Sequence, residues 1–361
     1  MLESTGVGRS RAMTVLALVA VLAFAKWAAA IVVPFLLAAL CSIGFWPIMR
    51  RVRGPDWLGV LVTVAVVGAT LVGFGWLVMA VATDFSSSLA EFVQALSDTR
   101  RSLSAWLVAH GMAPLAVAVA RKQPSALAEE VVAPWIMEVA DVAALIAVVG
   151  GLSIVVLLEL RVLRDKLRSR GPAWATWVVK IGKRTRAVQR YLLVKALVSA
   201  MTGILAAVAT WALDVPHPAL WGLLAFVLNF VPVVGSYVAA IPAIIVALVS
   251  AGPRSAVALA GIYLVINGAI GFVVEPRLSG TAVGLSPLVI LASIMFWGWM
   301  FGPIGALASV PLTMVVRILL SESTELGWVA DLMDARRADK DPARSSRLPM
   351  PPSSSVPQVG R

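Results

Sequence analysis

Between Pro218 and Ser250 the chain reads PALWGLLAFVLNFVPVVGSYVAAIPAIIVALVS without a charged residue, and no simple element accommodates it. Its roughly 33 residues would make a helix of about 50 Å, against a bilayer hydrocarbon core of about 30 Å. The stretch must tilt, kink or fold back. Asn229, Pro232, Gly235 and Pro242 mark the interruption: each proline removes a backbone donor, and Gly235 tolerates dihedrals closed to other residues. Irregular backbone at membrane depth persists only inside protein or beside a wet cavity, so a broken span carrying an amide is a candidate solute or ion path. The competing reading is a kinked structural helix.

Composition sets the class around this stretch. Of 361 residues, 60% are hydrophobic and 14% charged, which describes a polytopic membrane protein of the all-α class. The net charge of +11 sits beside apolar runs, where bases set topology and meet anionic lipid rather than nucleic acid. Cys41 is the single cysteine, so neither an intrachain disulfide nor a cysteine metal site is expected. The two histidines, His110 and His217, are far apart. No hydrolase, zincin or nucleotide-loop pattern occurs, so no enzyme chemistry, metal or cofactor is expected.

In chain order, residues 1–11 form a short N-terminal segment, and 12–83 carry three spans, the second beginning near Pro34 and the third following the basic cluster of Arg50, Arg51 and Arg53. Residues 84–138 are an amphipathic insert: Phe85, Leu89, Phe92, Leu96, Leu103 and Leu107 form one helical face, and Glu91, Asp98, Arg100 and Arg101 the other. Residues 139–320 hold the remaining spans. Within them, 161–190 read as a basic loop, with Trp174, Trp177, Val178, Ile181 and Val188 on one face of a helix lying among headgroups. That loop is expected on the cytoplasmic side. Lys195 reads first as an anchor snorkelling to that interface, and second as a coupling charge. Pro216-His217-Pro218 reads as a stiff outer turn, with His217 a loop residue. Counting gives about eight segments with both termini cytoplasmic, and 321–361 form a charged tail, Pro/Ser-rich and expected to be disordered from Pro342.

Residues 281–316 repeat the first problem, about 36 uncharged residues interrupted by Pro287, Gly298, Gly302, Pro303, Gly305 and Pro311. Paired Gly/Pro-broken stretches point to a transport site where the two meet. Each can be a kinked span or a re-entrant hairpin. Gly298 and Gly302 also fit a small-xxx-small contact, either a hinge or a dimer face. Asn267 is the main polar group of the span between the two stretches, and Glu275 follows it; Glu159 is a weaker second carboxylate.

The strings WGLLAFVLNFVPVVGSYVAAIPAIIVAL and VVEPRLSGTAVGLSPLVILASIMFWGWMFGPIGALASVPL, with YLLVKALVSAMTG before them, resemble the autoinducer-2 exporter family of bacterial membrane transporters. The resemblance covers residues 12–320 and implies about eight membrane segments, homo-oligomeric assembly and export of a small signal or metabolite from the bacterial cytoplasm, with cation/proton antiport in some relatives. The matching positions are Asn229, Pro232, Gly235 and Pro242, then Glu275, Pro276, Gly284, Pro287, Gly302, Gly305 and Pro311. Where relatives often carry further amides before Glu-Pro, this chain has Gly271, Phe272 and Val273. The leading expectation is therefore a secondary transporter exporting a small organic solute, with Glu275 or Glu159 exchanging a proton or sodium. A cation/proton antiporter, a channel and a non-transporting scaffold are the alternatives.

Overall fold

With no water in the bilayer core, backbone polar groups must pair within their own segment, so apolar runs become helices. The computed structural model describes residues 4–51, 56–87, 89–121, 133–232, 234–279, 284–323 and 326–334. Among them the regular elements are helices. Three early spans are α1 (Ser4–Trp27), α2 (Ala29–Arg51) and α3 (Asp56–Ser87), followed by the insert helices α4 (Leu89–Ala109) and α5 (Ala113–Arg121). The long helices α6 (Ala133–Ser169) and α7 (Pro172–Ala212) come next, then α8 (Pro218–Leu228), α9 (Gly235–Ser250) and α10 (Gly252–Ala269). A π-helical turn over Ile270–Val274 leads into the short α11 (Glu275–Ser279), and α12 (Pro287–Leu320) and α13 (Gly327–Leu332) close the described chain. Arg53, the turn at Gly54-Pro55 and the tail from Pro342 lie outside the described residues. Of the insert's apolar face, Leu107 is described and buried.

Six helices are long and apolar enough to cross a membrane, α12 among them at 34 residues. As a straight rod, α12 would hold Trp297 and Thr313 about 24 Å apart. Instead the Trp297 indole donates to the Thr313 hydroxyl at 2.9 Å, and Leu285 shares a core with Val310 and Met314. The backbone leaves helical geometry at Phe301 and Gly302, the latter at φ 65°. So α12 is a hairpin of two arms, 287–300 and 303–320. Its glycines permit the reversal: a Cβ on Gly305 would lie 2.0 Å from the Trp297 carbonyl oxygen, and one on Gly298 would touch Ala306. Gly298 thus serves contact between arms of one hairpin.

The first over-long stretch also folds back. Helices α8 and α9 meet at a turn through Asn229 and Pro232, and Trp221 and Ala225 of one arm share a core with Ala239, Ala243 and Val246 of the other. A Cβ on Gly235 would fall 1.7 Å from the Leu228 carbonyl oxygen. The kinked-span alternative therefore fails for both stretches. The count of about eight segments is compatible with this path: five straight candidate spans, α1, and the two hairpins.

The hairpins open on opposite faces. Ions tie the mouth of α12 to the end bearing the α6–α7 turn: Arg317 meets Asp334 at 2.6 Å, the Ser286 amide donates to the Met333 carbonyl, and Glu322 meets Lys180 at 2.9 Å and also Arg184. At the other end His217, which starts α8, meets Asp84 at the end of α3 at 2.8 Å. His217 is thus not a plain loop residue; its partner lies 133 positions away. The expected basic loop 161–190 is likewise corrected. It is helix continuous with the two spans, broken only at Arg170 and Gly171, so its bases stand on helices that extend the span axes.

This path generates two expectations. In a Cys41→Ser background, single cysteines replacing Ala219 and Arg254 should label from one face and those replacing Arg277 and Ser323 from the other; alternation along the chain would restore single crossings. Gly235→Ala and Gly305→Ala should each cost more than about 3 kcal/mol in thermal or denaturant unfolding. Gly261→Ala, with nothing within 4 Å of its Cβ, should not destabilise.

Candidate functional site

Both hairpins bear on α7, at different heights. The buried stripe of that helix runs through Val188, Tyr191, Lys195, Val198, Ser199, Thr202 and Ala206, the three- and four-residue steps of one helical face. Its lower part packs on α12 through Val188 and Tyr191. Its upper part packs on α8, where glycines bring backbones together: a Cβ on Gly203 would lie 2.7 Å from the Gly222 oxygen, and one on Gly222 2.8 Å from the Gly203 oxygen. Helix α8 therefore descends along α7 and ends at Asn229.

That end is polar. Asn229, 7% exposed, donates from Nδ2 to the Ser199 hydroxyl oxygen at 3.1 Å. Ser199 lies eight residues past Tyr191 and thirteen before Ala212, within the apolar part of α7. One helical turn away on the same face, Lys195 is 2% exposed and its Nζ donates to Glu275 Oε1 at 2.9 Å. The first-choice reading of Lys195 as a snorkelling anchor is overturned. A buried ammonium is too costly to leave unpaired, and the carboxylate that satisfies it arrives from α11.

Helix α10 adds a third polar group. Asn267 is 7% exposed, and neither its amide nitrogen nor its amide oxygen has a partner among the described residues; the buried Tyr263 hydroxyl, one turn earlier, also lacks one. Ile266 and Ile270 pack on Val198 of α7, while Tyr263 joins the core of the α8–α9 hairpin. Asn267 thus sits on the turn of α10 that faces both. The π turn that follows has a register consequence. In an unbroken α-helix Glu275 would stand about 80° around from Asn267; one inserted residue rotates it back by about 100°. Amide and carboxylate then share a face.

The structure gathers only part of the expected set. Asn229 and Glu275 meet α7 at Ser199 and Lys195, and Asn267 follows Ile266, which packs on Val198 of the same helix; Pro232 and Gly235 shape the turn beside Asn229. Pro242 is half-buried within α9. Pro287, Gly302, Pro303, Gly305 and Pro311 belong to the other hairpin, which among the described residues makes no extended contact with the first, so the described parts of the two broken stretches do not form one site between them. Glu159 is exposed on α6. Ser199 and Tyr263 were not among the expected site residues. The signal for Ser199 was present, four residues from a lysine in an apolar run. A cavity of about 750 Å³ lies elsewhere, between α2, α6, α7 and the returning arm of α12. No cluster of three metal-ligating side chains occurs among the described residues.

The sequence pattern of the AI-2E family transporter matches residues 15–325. The chain is 30% identical over 309 residues to the AI-2 transport protein TqsA of Escherichia coli strain K12, covering 85% of this chain and 90% of that one. It is also 30% identical over 327 residues to a protein of Haemophilus influenzae named "Putative transport protein", covering 88% and 94%. Over a shorter span of 150 residues it is 35% identical to YhhT of Escherichia coli, 42% of this chain and 43% of that one. The match over residues 15–325 and these identities place the chain in the AI-2E family of membrane transporters.

Proposed function

We propose that the protein exports a small organic solute with hydroxyl or carbonyl groups, autoinducer-2 being the example supplied by its E. coli relative's name, across the bacterial cytoplasmic membrane. The observation that carries this reading is Asn267, a buried amide with all its hydrogen-bonding capacity unused. An unsatisfied buried polar group costs about 1–3 kcal/mol, a cost that a solute's own polar atoms would remove. Ser199, Asn229 and Tyr263 supply further donors and acceptors around the same helix turns. In this reading the α8–α9 hairpin moves against α7, and the α12 hairpin closes the opposite face. The lysine- and arginine-rich face is cytoplasmic by the positive-inside rule, which puts both termini there, and its bases meet anionic lipid. Homo-oligomeric assembly belongs to the reading through the family.

Ion coupling is assigned to Glu275. A proton or sodium ion reaching this carboxylate would compete with the Lys195 ammonium and leave a buried charge without its partner. The lysine would then favour another arrangement of α7 and α10, and the amide between them would move with it. No nucleotide or prosthetic group enters this scheme.

In proteoliposomes, Asn267→Leu should lower the initial rate of autoinducer-2 flux at least tenfold while leaving thermal stability equal or higher; undiminished flux would remove the solute site from α10. The ion pair calls for a double-mutant comparison. Lys195→Met should destabilise by on the order of 3 kcal/mol, and Lys195→Met with Glu275→Leu should recover most of that. Gradient-driven flux should stay lost in the double variant and in Glu275→Gln, while downhill exchange survives. Gradient response persisting in Glu275→Gln would assign coupling elsewhere.

A further inference from the structure

The cavity at the basic face is separate from Asn229 and Asn267, and its walls have two chemistries. Toward the membrane it is lined by Ile43 of α2, Leu160 of α6, Val188 of α7 and Ile318 and Leu319 of α12. Beyond the apolar runs its lining includes Arg164, Arg168, Lys183 and Arg186, two each from α6 and α7. No carboxylate is among its lining residues. Other bases nearby are answered within the chain, Lys180 and Arg184 by Glu322. Of the four cavity cations, Arg164 has the side chain of Asp165 at 3.2 Å and lies over the Trp46 ring, 5.6 Å from its centroid.

We infer that this cavity is a binding site for one anionic phospholipid, with the phosphate among the four cations and an acyl chain on the apolar wall. Four like charges around a space of about 750 Å³ repel one another, and an anion seated among them converts that repulsion into charge-assisted hydrogen bonds. A free anion would leave the apolar wall wet. A neutral lipid would leave Arg168, Lys183 and Arg186 without an anion. An anionic phospholipid meets both demands, and the cavity opens where the apolar spans give way to bases, at the depth where such headgroups lie. Because Val315, Ile318 and Leu319 of the wall belong to the returning arm of α12, the lipid would brace that hairpin against the α6–α7 pair. The inference does not depend on the identity of the solute or on the amide site.

Gly182 offers a way to test it without touching charge. It lines the cavity, and nothing lies within 4 Å of the Cβ it lacks, so Gly182→Leu should put a side chain into the space between the cations while favouring the helix. The measurement is native mass spectrometry of the intact protein, titrated with phosphatidylglycerol or with phosphatidylcholine of the same chains. Wild type should retain phosphatidylglycerol at least tenfold more strongly. Lys183→Gln with Arg186→Gln should lose that preference tenfold or more, as should Gly182→Leu with all four cations in place. Lys166→Gln with Arg170→Gln, an equal charge loss outside the lining, should change it less than twofold. Equal weakening in the two double variants would reduce the effect to general attraction of the basic face. Retention by Gly182→Leu, or displacement of the lipid by inorganic phosphate at equal concentration, would also overturn the assignment. Should the Lys183/Arg186 variant fail to fold, the Gly182→Leu comparison decides.

Discussion

The structure depends on one constraint, that a chain reversing inside a bilayer must keep its backbone polar groups paired while two helix arms come within contact of each other. At both reversals the solution is glycine. Gly235 lies under the Leu228 carbonyl and Gly305 under the Trp297 carbonyl, at distances that leave no room for a side chain. Proline does the complementary work: Pro232 stands in the first turn, and Pro303 follows the left-handed Gly302 at the second. With the arms held so closely, each hairpin remains a compact wedge that can pack on a straight helix.

That helix is α7, and its two halves carry different partners. The lower half meets α12 through Val188 and Tyr191, the upper half meets α8 through the Gly203–Gly222 approach, and Lys195 and Ser199 fall between. A charged pair in such a position is poor as a source of stability, because desolvation offsets much of the attraction between Lys195 and Glu275. In the proposed mechanism its value is that it is conditional. A change in the charge of Glu275 would change how α7 and α11 fit, and the π turn would hand that change to Asn267 through a single helix. The hairpins' opposite openings would then give alternating access one wedge facing each side.

The sequence reading and the structure agree on the parts that local chemistry controls. Apolar runs longer than the bilayer is thick, interrupted by Gly and Pro, had to be broken, and they are. Asn229, Asn267 and Glu275 were legible because polar groups are expensive in an apolar segment and stand out against it. Lys195 stood out equally but was misread, because a lysine near a helix end can reach water or a carboxylate with the same side chain, and sequence does not say which is nearer. The α6–α7 region shows the same limit: a dense run of bases is compatible with a loop, an interfacial helix or a continuing rod, and its own helix propensity carried it straight on.

What the sequence determined by itself, then, is that this chain lives in a membrane as helices and that two stretches cannot cross it plainly, since length against bilayer thickness leaves no alternative. Tertiary structure decided the sense of each fold-back, and with it the side on which Glu275 emerges. A single crossing of residues 218–250 would send Glu275 to the face opposite Lys195, whereas a hairpin returns it to the same one. What distinguishes those paths is the packing of consecutive arms on each other, Trp221 and Ala225 against Ala239 and Val246, and Trp297 against Thr313, which the glycine approaches at Gly235 and Gly305 permit; that packing is a contact between two arms rather than a property of either.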